Sequence, residues 1–176
     1  MEAHGFSRAT GRIEKRGFSH CAMDAFCNRT FFVTSVTWER RPIFLSDRAA
    51  QLFLATLFEY RDRDVFRLYE FVIMPDHIHL LLAPKPGITL ERAMQFIKGG
   101  YSHRFSKETG SRMEIWERSF TNHRVRDKCD YERHRRYIHS NPVRAGLVEL
   151  AENYPSSSAY PGFALNEAPQ GLKPVA

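Results

Sequence analysis

Apolar and polar positions along the chain repeat with two periods, and the switches between them predict the element order β-α-β-β-α-β-α. TFFVTSVTW (Thr30 to Trp38) is rich in β-branched and aromatic residues and predicts a first strand, which RRPIF ends. Ser46 and Asp47 then supply an N-cap and a first-turn acid for an amphipathic helix whose Ala49, Phe53 and Leu57 share one stripe. The run RLYEFVIMPDHIHLLLAP predicts two strands, because Met74-Pro75-Asp76 breaks the ladder and supplies a turn. After PKPG, Thr89 caps a second helix with the stripe Leu90, Met94, Ile97, Tyr101 and Phe105, and Gly110 lies near its end. EIWERSFTNHRVRD alternates as a further strand. Asp127 or Asp130 opens a third helix, YERHRRYIHSN, which Pro142 closes or kinks by removing a backbone donor and pushing Asn141 from helical dihedrals.

This order predicts an α+β fold: a ferredoxin-like antiparallel sheet with helices on one face and an added C-terminal helix. Residues 1–28 are polar and aperiodic and read as a loosely ordered arm, 29–150 as the single domain, and 151–176, with its serines and prolines, as an extended tail.

Within the apolar run EFVIMPDHIHLLL stand His77 and His79. Side chains alternate along a strand, so these histidines share one face while Ile78, Leu80 and Leu82 point into the core. Two convergent imidazoles can chelate one divalent ion and leave positions for a third ligand, water and substrate. They can equally be satisfied or solvated histidines on an open strand face, or acid and base groups of a phosphoesterase. That last class usually needs a second His-x-His, and the chain has none.

Composition narrows the partner. The net charge of +6 favours a polyanion, and the excess is concentrated between Arg118 and Arg144. Arg118, Arg124, Arg126, Lys128, Arg133, Arg135, Arg136 and Arg144 there outnumber Glu117, Asp127, Asp130 and Glu132, with His123, His134 and His139 among them. Such a run is either a solvated basic helix face or a phosphate-binding surface. No apolar stretch approaches the roughly 20 residues that span a bilayer, so no membrane role is expected. With no apolar signal core and an odd set of cysteines, Cys21, Cys27 and Cys129, the expected compartment is the cytoplasm. No glycine-rich phosphate loop or Ser-His-Asp arrangement is present in the sequence.

Tyrosines are the candidate nucleophiles. Tyr101 continues the apolar stripe of the second helix and reads as a core ring with its hydroxyl in water. Tyr137 lies in the most basic stretch, three residues after His134 and four before Asn141, so the Asn141 amide falls near the face that carries the phenol. A half-buried anchor for the helix is the other reading of Tyr137.

MPDHIHLLL, QFIKGG, IWERSFTNHRVRD and YIHSNPVRAGLV, in this order and with these gaps, resemble the REP-associated tyrosine transposases over about residues 30–160. The resemblance implies a nuclease domain that cuts and rejoins single-stranded DNA beside a hairpin and associates with the nucleoid. It implies His77 and His79 as metal ligands, Tyr137 as nucleophile on a catalytic C-terminal helix, and Asn141 as third ligand. His123 matches a position where relatives carry histidine, and Ser119 departs from the Arg or Gly of some relatives.

With that site, Tyr137 would attack a phosphodiester and form a covalent 5′-phosphotyrosine, with Mg²⁺ or Mn²⁺ as cofactor and no nucleotide. Arg118, His123, Arg124, Arg126, Arg133, Arg135, Arg136 and Arg144 are the expected DNA contacts, and the protein is expected as a monomer or homodimer. The competing expectations are a module that binds hairpin DNA or structured RNA without cutting, and a phosphodiesterase that uses water while Tyr137 is structural.

Overall fold

A computed structural model describes residues 29–170 and 172–173; the arm expected over 1–28 lies outside the described residues. Its sheet contains β1 (Phe31–Val36), β2 (Phe66–Met74), β3 (His77–Pro84) and β4 (Thr121–Arg124) in the order β2-β3-β1-β4, with every pair antiparallel. The helices α1 (Asp47–Asp62), α2 (Leu90–Thr109) and α3 (Lys128–Arg144) complete the expected order and the expected ferredoxin-like α+β class.

Alternation in the strands gives the sheet two apolar faces. Val33, Phe71, Ile73, Ile78, Leu80 and Leu82 pack with Phe53 and Leu57 of α1 and Met94, Ile97 and Tyr101 of α2. Tyr69, Val72, Met74, Leu81 and Ala83 face the other way and pack with Tyr131 and Ile138 of α3. The added helix thus covers the face opposite the other two. His77 and His79 share that face with Leu81 and Ala83, beneath α3.

Local signals explain most boundaries. Thr89 accepts from Arg92 N–H at the start of α2, and Gly110 ends that helix in the left-handed region at φ 71°. Asp127 accepts from Asp130 N–H and so caps α3. Between β2 and β3, Pro75 and Asp76 form the expected turn, held by Thr37 N–H and Oγ1 donating to Asp76 O and by Phe44 N–H donating to Pro75 O.

Three expectations are corrected. Of the two outcomes expected at Pro142, closing α3 is not what happens: the helix continues to Arg144, and Gly146 follows its C-cap at φ 69°. Gly146 N–H donates to Val143 O and Leu147 N–H to Pro142 O, a paired closure that glycine permits and that satisfies two of the carbonyls every helix end leaves without a partner. The fourth strand is shorter than EIWERSFTNHRVRD suggests. Trp116 makes only an isolated bridge with Thr37, because its indole turns into the core against Phe44, Phe53 and Tyr101 and donates to Lys98 O. Tyr101 is a core ring, but its hydroxyl is not in water. It is buried without a hydrogen-bond partner, enclosed by Phe44, Phe53, Phe105 and Trp116, and burial followed by the Glu108 charge raises its pKa.

The chain after α3 runs along the outer edge of β2, where Ile73 N–H donates to Ser156 O, Ser158 N–H to Phe71 O, and Asn166 N–H to Leu68 O. An exposed strand edge is thereby covered.

Candidate active site

β3 delivers the two imidazoles side by side, their ring centroids 4.8 Å apart. His77 Nδ1 lies 2.6 Å from Asp76 Oδ1, and Asp76 is also held by Arg40 at 2.9 Å. Burial alone would raise the Asp76 pKa, but the hydrogen bonds from His77 and Arg40 bring it below the usual range, so it is a carboxylate that accepts the His77 Nδ1 proton. On the neighbouring strand Thr34 stands opposite His79, with Oγ1 2.7 Å from Nδ1. His79 is only 4% exposed, stacks on Phe32 at 5.3 Å, and its Nε2 is buried with no hydrogen-bond partner. Burial, and then the charge of His77, push its pKa down to about 3, so the ring is neutral near pH 7.

These contacts leave the same nitrogen on both rings. Each Nδ1 faces an oxygen, so each Nε2 can present a lone pair, the arrangement in which histidines bind metals. An orphaned buried nitrogen costs free energy as it stands, and a divalent ion would satisfy it. The residues therefore fit a divalent ion.

α3 brings the phenol to this pair. Tyr137 is 39% exposed, with its ring edge-on to His79 at 5.2 Å and to Phe32 at 5.8 Å. The Arg144 guanidinium lies 5.8 Å from the Tyr137 ring centroid. Asn141, half-buried, follows one turn later on the same helix.

The helix is held in register by a residue that the sequence reading did not select. A bulge between Leu68 and Glu70 turns both Tyr69 and Glu70 toward α3. Glu70, 7% exposed, accepts from Arg135 Nε at 2.9 Å, His139 Nε2 at 2.7 Å and Ser158 Oγ at 2.6 Å. Burial alone would raise its pKa, but the hydrogen bonds of His139 and Ser158 and the charges of His139 and Arg135 hold it below the usual range. An acid inside the apolar run LYEFVIM was the available signal.

The basic residues divide into groups. Arg118, Arg124, Arg126, Arg133, Arg136 and Arg144 are exposed. Arg135 is exposed as well, and it binds Glu70 and, at 3.5 Å, Glu132. His123 is drawn to Asp130, with Nε2 2.7 Å from Oδ2, and stacks on His134 at 4.8 Å.

Residues 27–141 match the protein family described as Transposase IS200 like. The chain belongs to that family. A Haemophilus influenzae protein assigned to the REP-associated tyrosine transposases is 30% identical over 138 residues, 73% of this chain and 78% of that protein. The Escherichia coli REP-associated tyrosine transposase is 26% identical over 155 residues, 84% of this chain and 87% of its own. The family resemblance expected from the sequence is thereby borne out. A solved REP-associated tyrosine transposase bound to a REP hairpin has the same fold, with a TM-score of 0.65 and 23% identity over 85% of this chain and 94% of that one. A Deinococcus radiodurans chain assigned as a transposase also aligns, with a TM-score of 0.51 and 18% identity over 70% of this chain and 95% of its own. Among the described residues no helix is long and apolar enough to cross a membrane.

Proposed function

We propose that this transposase cleaves and rejoins single-stranded DNA beside hairpin sequences through a covalent link to Tyr137. The observation that carries the reading is the buried, unpartnered Nε2 of His79 beneath the half-exposed Tyr137 ring, 5.2 Å between centroids. A Mg²⁺ or Mn²⁺ ion held by His77, His79 and Asn141 would polarise a phosphoryl oxygen and orient the scissile bond.

The chain's own groups do the rest. The Tyr137 oxygen attacks phosphorus as its proton passes to solvent, the new O–P bond forms, and the bond from phosphorus to the 3′-oxygen breaks. The departing oxygen takes up a proton, leaving a 5′-phosphotyrosine and a free 3′-hydroxyl. Attack by another 3′-hydroxyl reverses the step and joins strands without a nucleotide cofactor. Arg144, beside the Tyr137 ring, offers positive charge to the phenolate or the phosphate. Asp76 and Thr34 hold the two imidazoles in orientation, and Glu70 holds α3.

Hairpin DNA is the proposed partner because a protein of the same fold is described as bound to a REP hairpin. Exposed Arg118, Arg124, Arg126, Arg133, Arg136 and Arg144 are the proposed backbone contacts. The test is a denaturing gel after incubating the protein with Mn²⁺ and labelled single-stranded DNA that carries a hairpin. A labelled protein band that Tyr137→Phe abolishes is expected. Binding without any adduct would leave a non-cleaving module, and cleavage without an adduct would mean water attack.

A further inference from the structure

We propose that His123, Asp130 and His134 form a second divalent-cation site, separate from His77 and His79, suited to a first-row ion such as Zn²⁺. Each of the three offers one ligand atom, and these atoms all lie within 4.8 Å of one another. Ligands around a tetrahedral zinc ion, with bonds of about 2.0–2.1 Å, sit about 3.3 Å apart, so modest side-chain rotation closes the set. Two imidazole nitrogens and one carboxylate oxygen suit zinc better than they suit magnesium, which prefers an oxygen shell.

The fold brings these residues together from two elements. His123 comes from β4, while Asp130 and His134 stand one turn apart on α3. Asp130 is the buried member, its side chain 8% exposed against 16% for His134 and 40% for His123. The open His123 side leaves room for a water or a phosphate oxygen at the fourth position. Asp130 Oδ2 also accepts from Arg126 N–H at 3.1 Å, which orients the carboxylate from behind, as supporting partners do for metal ligands. Arg133 Nη1 lies 3.8 Å from Oδ1, but its side chain is 73% exposed and free to swing outward.

Phe32 separates the two sites. It pairs directly with His123 across β1 and β4, and its ring lies against His79 at 5.3 Å on one side and His134 at 4.5 Å on the other. An ion on one side of that ring has no ligands from the other. Binding at the second site would replace the contact between His123 Nε2 and Asp130 Oδ2, with the imidazole holding its proton on Nδ1 so that the Nε2 lone pair faces the ion. The ion would then tie β4 to the first turns of α3, the helix that carries Tyr137.

The experiment titrates Zn²⁺ into the metal-free full chain carrying His77→Ala and His79→Ala, by calorimetry and by thermal unfolding. One equivalent should bind and raise the melting temperature. Adding His123→Ala, at a half-exposed position that should not compromise folding, should abolish both the uptake and the shift, and His134→Gln should do the same. If the double variant takes up no Zn²⁺, or if uptake persists unchanged with His123→Ala, the site does not exist and the cluster is only a hydrogen-bonded cap. Because His77 and His79 are absent throughout, the result is independent of whether they bind the ion for cleavage.

Discussion

Thr34 Oγ1 stands 2.7 Å from His79 Nδ1, where the hydroxyl oxygen offers the Nδ1 proton an acceptor. With the proton on Nδ1 donated to the hydroxyl, Nε2 keeps its lone pair; without that acceptor either tautomer serves. Thr34→Val keeps the shape and removes the oxygen. Mn²⁺ affinity measured by calorimetry should fall about 10- to 100-fold, the usual effect of losing such a partner. Undiminished affinity would show that Thr34 does not orient the His79 imidazole for the ion.

The two tyrosines should respond in opposite ways to loss of the phenol oxygen. Tyr101→Phe removes a buried hydroxyl that has no protein partner, so urea unfolding should show unchanged stability or a gain of up to about 1 kcal/mol, with DNA cleavage intact. Tyr137→Phe keeps the ring against Phe32 and His79, changes stability by less than about 1 kcal/mol, and should abolish the covalent adduct. A Tyr137→Phe protein that still forms the adduct would move the nucleophile elsewhere.

Much of this arrangement was legible in the sequence, and the remainder was not for physical reasons. The shared face of His77 and His79 follows from strand alternation, and the caps at Thr89 and Asp127 from local hydrogen-bonding chemistry. The bulge at Tyr69 and Glu70 reverses the expected alternation over one residue, and no pattern within the strand announces it, because it depends on register with β3. The lateral partners Thr34 and His79, 45 residues apart, likewise meet only through strand pairing. Arg135 looked like its basic neighbours; only the position of Glu70 across the interface distinguishes it. For Pro142, the ring removes only its own N–H bond to the carbonyl four residues back, and α3 runs on for two more residues before the chain turns at Gly146.

Glu70 gives the next prediction. Removing a buried carboxylate leaves His139 and Arg135 without their shared acceptor, and breaking such a network costs more than the net worth of its ion pair. Arg135 is 46% exposed and can recover part of its hydration. Glu70→Ala should therefore destabilise by about 2–3 kcal/mol, read by urea unfolding, somewhat less than a fully buried pair. Adduct formation should fall in conditions where the variant remains folded, as α3 loses its tie to β2. A variant as stable and active as the wild type would show that the apolar contacts of Tyr131 and Ile138 alone hold the helix.

Acidification should weaken the metal-free fold in two stages. His79 has its folded-state pKa pushed to about 3, below the ordinary 6.5, so between these values the unfolded chain binds a proton that the folded chain refuses. Stability is therefore full above about pH 6.5 and declines as pH falls toward 3, by at most about 1.4 kcal/mol per pH unit from this group. Glu70, Asp76 and Asp130 are held below their ordinary values of 4.5, 3.8 and 3.8, so their contribution is present above those values and lost as pH falls through the folded ones. Urea unfolding in a chelating buffer should accordingly slope downward from about pH 6.5 toward 5, before any carboxylate titrates appreciably. His79→Asn should flatten this upper segment and leave the steeper loss below pH 4.5, where Glu70 and its fellow acids take up protons, in place. An equal slope between pH 6.5 and 5 in both proteins would mean that His79 is as easily protonated in the folded chain as in the unfolded one. Its Nε2 would then not be the buried lone pair on which the proposed metal site depends.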